Sequence, residues 1–279
     1  MKVLTFFHHK KTLYIAGSIL LLAVAFTIGY LHWMAPTQIL IVNPLPAQAA
    51  DIVLNNDSRH IQVTCIQTED LKSLKGYDAV VLYGRSLNLT DSQTKEIERT
   101  ASAGVPVFTV SLRNFNTVIN HNITSDEEAM LLRYFGDACR QNYRNGLRYL
   151  RRIATPSRWS TEAFDAPLRL PNNLFYHQEY GKYFNTPEDL EQYLRQKGIY
   201  HEGGRKIAFI SGISFPMEGN RAHVDTLISR MTQAGFNVYP IAGKDKRTEM
   251  LRNLHPDAMV YLPMGRLGND SLINWLHTE

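Results

Sequence analysis

His177 is the side chain whose setting most invites chemistry. It follows the apolar aromatic pair Phe175-Tyr176, and an imidazole in such company suits ligation of a metal or of a metal-binding macrocycle. A histidine satisfied within a core is the competing account. A second group of candidates lies further along. Gly212 ends the apolar run KIAFISG, Gly219-Asn220 forms a turn, and His223 follows inside a helical pattern. A loop at the carboxyl end of a strand is where open α/β sheets take their ligands. Asn220 there either caps the helix or touches a ligand, and His223 faces the crevice or is a histidine exposed to solvent or satisfied within the core. Gly235, at the end of the same helical pattern, reads as a C-cap.

Other chemistry lacks its residues. Cys65 and Cys139 have no CxxC or Cys/His spacing and read as structural; a bridge between them has no support beyond its being geometrically allowed. The glutamine-amidotransferase arrangement needs a cysteine after a strand, but DAVVLYG runs into Arg85 and Ser86, and Ser86 lacks the GxSxG surround. No GxxxxGK[ST] loop and no GxGxxG is present. The pairs Asp51/Asp57 and Glu127/Glu128 read as solvated charges. No catalytic residue and no metal-ligand set is assigned.

The elements that position these residues follow from apolar patterning. QILIVNP (38–44), HIQVTCI (60–66), DAVVLYG (78–84) and VPVFTVS (105–111) are short continuous apolar runs ended by turn residues, the mark of parallel strands buried on both faces. Residues 90–103 form the clearest helix between them, with Thr90 as N-cap. Residues 125–153 read as one long helical stretch. A segment holding Pro156, Pro167 and Pro171 reads as an irregular connection. Residues 186–197 signal a helix, with Thr186 as N-cap, Pro187 in the first turn and acids at its positive end. A second alternating series follows: KIAFISG (206–212), a helix over about 220–234, FNVYPIA (236–242), a helix over about 245–254, DAMVYLP (257–263), and a helix from about 269.

The amino terminus is of another kind. Residues 13–34 carry no charge, long enough at the helical rise to cross a bilayer. Lys2, Lys10 and Lys11 precede the segment, the first acid after it is Asp51, and Tyr30, His32 and Trp33 stand at its far end as an aromatic belt. The positive-inside rule then puts the N-terminus in the cytoplasm and the body across the inner membrane, in the periplasm of a bacterial cell. The competing reading is a signal peptide cleaved near Ala23-Val24-Ala25. The net charge of +4 is concentrated beside this segment, so the basic face that nucleic-acid binding requires is missing and no nucleic-acid partner is expected.

The segment NLFYHQEYGKYFNTPEDLEQYL followed by KIAFISGISFPMEGNRAHVDTLISRMTQAGFNVYPIAG resembles the large subunits of the CobN and magnesium-chelatase H family. The features carrying the resemblance are Phe175-Tyr176-His177 before a helix, the strand ending in Gly212, the Gly219-Asn220 turn opening a helix that bears Asp225, and Gly235 before a strand that reaches Pro240. The resemblance covers roughly residues 170–264. It implies tetrapyrrole binding (haem, porphyrin or corrin) and insertion or removal of a divalent metal, both as substrates, with no cofactor resident in this chain. It also implies that the metal-handling residues lie beyond residue 279 and that ATP hydrolysis belongs to separate partner subunits. The leading apolar helix departs from the cytoplasmic cobalt and magnesium enzymes and is similar to membrane-anchored HmuS-type proteins of bacterial haem acquisition. That similarity moves the expected substrate toward haem, and the expected partners toward chelatase or haem-uptake components.

The expected architecture is α/β: a transmembrane helix followed by two Rossmann/flavodoxin-like parallel-sheet units, the second ending before it is complete. The expected organisation is 1–36 tail and anchor, 37–155 first α/β domain, 156–204 connecting region with a helix, and 205–279 the start of a second α/β domain. The expected function is an amino-terminal chelatase segment contributing to tetrapyrrole binding through His177, Gly219, Asn220 and His223. A membrane-tethered binding module without catalysis, or an assembly protein with no ligand, are the alternatives.

Overall fold

The computed structural model describes residues 2–84, 87–110, 119–136, 139–159, 162–169, 171–179, 181–210, 221–243, 246–262 and 274, with the backbone alone over 2–16. The chain divides into two compact units. One holds Met1–Asn43, Asp57–Ser125 and Leu147–Phe164, the other Pro44–Asn56, Asp126–Gly146 and Asp165–Glu279.

The first unit opens with α1 (Lys2–Met34), 33 residues long, or about 50 Å at the helical rise. Within Gly17–Met34 no residue is buried, and Leu20, Leu21, Leu22 and Phe26 lie exposed. A bare apolar cylinder of this length suits a bilayer; a leader sequence meets the same criterion. Only Ala35 and Pro36 separate α1 from β1 (Thr37–Val42).

β1, β2 (Ile61–Ile66), β3 (Ala79–Tyr83) and β4 (Val107–Val110) form a parallel sheet in the order β2-β1-β3-β4. α2 (Pro46–Leu54), a 3-10 turn (Thr68–Asp70) and α3 (Asp91–Ser102) fall between them in sequence. Leu40, Val42, Val80, Leu82 and Val107 pack on Ile97 and Ala101 of α3 and on Leu71 and Leu74. The alternate residues Ile39, Ile41, Val81 and Phe108 are equally buried, which is why these strands read as unbroken apolar runs. α3 starts as its sequence dictates: the Gln93 amide donates to Thr90 Oγ1 at 3.3 Å, and the Thr90 amide donates to Gln93 Oε1 at 2.9 Å, a reciprocal capping box.

The stretch 125–153 is two helices rather than one, α4 (Ser125–Gly136) and α5 (Arg140–Ala154). Gly136 ends the first, a poor helix residue. The second is capped by Cys139, whose Sγ accepts from the Asn142 amide at 3.4 Å. Both cysteines are free thiols.

In the second unit β5 (Leu174–Tyr176), β6 (Tyr183–Phe184), β7 (Lys206–Ile210), β8 (Asn237–Ala242) and β9 (Ala258–Tyr261) form one sheet in the order β6-β5-β8-β7-β9. β7, β8 and β9 are parallel, whereas β5 runs antiparallel to β8 and β6 antiparallel to β5. The sheet is therefore mixed, where purely parallel strands were expected. The region between the proline-rich segment and residue 204 contributes its two antiparallel strands, whose brevity hides them in sequence. α6 (Pro187–Gln196) and α8 (Arg247–Leu254) cover one face through Leu190, Leu194, Met250, Leu251 and Leu254. α7 (Ala222–Gln233) covers the other through Val224 and Ile228. Pro240 fits inside β8 because the Asn237 amide bonds toward β7. Alternation then turns position 240 toward β5, whose last paired residue faces Ile241, so no β7 bond is lost.

Candidate functional site

The β5–β6 hairpin places His177 at its turn. The His177 amide donates to the Lys182 carbonyl at 3.0 Å, and the Glu179 amide donates to His177 Nδ1 at 3.0 Å. The ring meets Tyr193 of α6 edge-on, with centroids 5.1 Å apart, and the residue is 8% exposed. Thr186 sets this helix beside the hairpin by accepting from the Asp189 amide at 3.2 Å. The Tyr193 hydroxyl donates to Glu179, and Lys197 Nζ lies 3.3 Å from the same carboxylate.

Arg221 closes the site from the other face. It occupies the N-cap position of α7 and is 4% exposed. Its Nη2 donates to the His177 carbonyl at 2.6 Å, and its Nε and Nη2 grip the Asp225 carboxylate at 2.9 and 2.7 Å. The guanidinium sits 5.2 Å from the Tyr176 ring centroid, within cation–π range. The start of α7 is thus tied to the hairpin that carries His177.

Burial pushes the His177 pKa below its ordinary value; neighbouring Glu179 opposes this, and Arg221 and Lys197 reinforce it. The ring is neutral near pH 7. With Nδ1 accepting from the Glu179 amide, the proton sits on Nε2, and such a ring offers an N–H donor rather than a lone pair. Glu179 is held below the usual carboxylate range by its bonds from Tyr193 and Lys197.

Of the residues singled out in sequence, His177 lies at this junction and His223 stands exposed on α7. Gly219 and Asn220 lie outside the described residues, as does Gly212. Gly235 follows the end of α7 with φ +92°, the left-handed conformation of a helix-terminating glycine. Arg221 was missed, although its i,i+4 spacing to Asp225 was a readable signal. Among the described residues no three His, Cys, Asp or Glu side chains gather as a metal site.

β7 lies between β8 and β9. The chain passes from β7 to β8 on one side and then to β9 on the other, which makes the carboxyl ends of β7 and β9 the point where strand order reverses. Ligands of open α/β sheets bind at such points. Arg221 opens the helix that follows β7.

A family model described as CobN/Magnesium Chelatase matches residues 132–277, more than half of the chain. The chain belongs to the CobN/magnesium chelatase family. The match takes in the whole described sheet of the second unit, the helices α6, α7 and α8 that cover it, His177 and Arg221. Among solved structures, the catalytic subunit of cobaltochelatase from Mycobacterium tuberculosis is similar with a TM-score of 0.52 and 16% identity, over 81% of this chain and 18% of that one. At that identity the likeness is one of fold. The chain thus corresponds to less than a fifth of the cobaltochelatase subunit. No curated protein matches it.

Proposed function

We propose that this chain supplies the amino-terminal portion of a CobN/magnesium-chelatase-type large subunit and contributes to binding the tetrapyrrole on which metal insertion or removal takes place. The family match over residues 132–277 carries the reading. The site geometry supports it: an aromatic-flanked, neutral His177 whose carbonyl is held by a buried arginine at the start of the helix that follows β7. The first sheet supports it too, since the order β2-β1-β3-β4 is that of flavodoxin-like, doubly wound folds.

His177 acts here as a hydrogen-bond donor to an acidic side chain of the macrocycle rather than as a metal ligand. Ligation through Nε2 would move the proton to Nδ1 and set it against the Glu179 amide, leaving a half-buried donor unpaired. α1 serves as a single-pass anchor, with the basic tail in the cytoplasm and the body in the periplasm. Haem or an imported porphyrin is the substrate reached there, in the manner of HmuS-type relatives.

The test is absorbance titration of the full chain in detergent with haemin and with metal-free protoporphyrin, for wild type, His177→Ala and His177→Gln. Loss of a donor to a carboxylate weakens binding by about tenfold or more, equally for both macrocycles, and Gln restores part of it. Weakening confined to haemin would show ligation instead, and the absence of saturable binding to either would overturn the proposal.

A further inference from the structure

The end of α1 is built into the first unit rather than hung from it. The Trp159 amide donates to the Trp33 carbonyl at 2.9 Å. A run of rings continues from the helix into the unit: Phe26 to Tyr30 at 6.5 Å, Tyr30 to Trp33 at 6.4 Å, Trp33 to Trp159 at 5.8 Å, and Trp159 to His60 at 5.3 Å. Arg158 Nη1 donates to the Pro36 carbonyl at 2.9 Å and to Asp78 at 2.7 Å. Met34 and Thr37 are three Cα steps apart, at most about 11 Å. A helix leaving a bilayer at Met34 therefore delivers the amino-terminal rim of the first sheet directly to the headgroups.

That rim is basic. Arg59 lies just before β2, Lys75 just before β3, and Arg152 at the end of α5, beside Arg151, which donates to Thr37 and to the His60 carbonyl. Arg59, Lys75 and Arg152 are exposed. The acids described on the same rim are engaged: Asp78 by Arg158, Asp57 by Arg148 at 2.8 Å, and Glu162 by the Ser58 hydroxyl at 2.6 Å. At the opposite, carboxyl-terminal rim the exposed charges after β2 and at the start of α3 are three acids, Glu69, Asp70 and Asp91, against one base, Lys72, which follows the 3-10 turn. One end of the sheet therefore offers cations beside indoles, the composition that anionic headgroups attract.

Resting on the reading of α1 as an anchor, we infer that the first unit docks the amino-terminal rim of its sheet on an anionic phospholipid surface. Its carboxyl-terminal rim, one strand length of about 20 Å away, faces into the aqueous phase. Any ligand crevice of that sheet is then turned away from the bilayer.

The experiment uses the full chain in lipid nanodiscs carrying a quencher on the headgroup, with a fluorophore on Ser157→Cys at the amino rim or on Glu69→Cys at the carboxyl rim. Both are made in a background of Cys65→Ser and Cys139→Ser, the latter keeping an acceptor for the α5 cap. In phosphatidylglycerol discs the Ser157→Cys label loses its emission and the Glu69→Cys label keeps it. Replacing Arg59, Lys75 and Arg152 with Glu lowers the docking equilibrium constant about fivefold for each base removed, restoring the emission. Equal quenching at both positions, or none at Ser157→Cys, in discs that contain the protein overturns the orientation and leaves the anchor standing. Failure of the intact chain to enter discs overturns both. No macrocycle is present, so neither result bears on tetrapyrrole binding.

Discussion

Individual side chains divide into those that hold the fold and those that point to a ligand. Arg151 is of the first kind: it is 1% exposed and donates to Thr37 Oγ1 and to the carbonyls of His60 and Trp159. Replacing it with Met removes one donor from each of those acceptors, although the His60 carbonyl keeps the Thr37 amide and Thr37 Oγ1 keeps Thr155, and chemical denaturation is expected to show a loss of about 1–3 kcal/mol. His177 is of the first kind too, beside the ligand role proposed for it. Its pKa is depressed chiefly by burial, so its neutral form is the stabilising one. That contribution is complete above the unfolded value of about 6.5 and is lost as the pH falls through the folded value. Melting curves recorded from about pH 7.5 down to about pH 5 should therefore fall more steeply for wild type than for His177→Gln; parallel curves would contradict the assignment. His177 was legible in sequence because aromatic neighbours mark it. Its proton position was not, since that depends on the amide of Glu179 two residues on, a matter of turn geometry. Arg221 was passed over because its partners, the His177 carbonyl and the Tyr176 ring, lie 44 and 45 positions away.

The secondary elements show the same division between local and distant causes. Seven of the nine strands among the described residues sit where apolar runs place them; β1, β3, β4, β7 and β8 are buried along nearly their whole length, as a parallel strand covered on both faces requires. Thr90 and Thr186 cap the helices their spacing announces. Thr186→Ala is expected to cost about 1 kcal/mol, read as a fall of about 2–4 °C in Tm, with the α6 side of the His177 site loosened. β5 and β6 escaped notice because three and two residues carry no period; what makes them strands is the pairing of β5 with β8, some 66 residues downstream, and of β6 with β5. Gly243, just after β8, shows how tightly that pairing closes. Its φ is +100°, and a Cβ there would come within 2.2 Å of the Asn172 carbonyl oxygen. Gly243→Ala is expected to lower stability by about 1–3 kcal/mol, and partial proteolysis should then cut first near β5.

For the whole molecule, the family match and the apolar helix stand at different ends of the chain. The mixed sheet with helices on both faces carries the CobN/magnesium chelatase match, and α1 supplies a span fit for a bilayer. Alkaline carbonate extraction of membranes from producing cells is expected to leave the full-length chain in the pellet; release of a shortened chain would show that the helix is a leader. The central claim is that this chain binds a tetrapyrrole, and its most direct test is fluorescence titration of metal-free protoporphyrin with nanodiscs holding the full chain against empty discs. Binding that saturates in proportion to the protein and weakens in His177→Ala is the predicted result. Partition identical to that of empty discs would contradict the account.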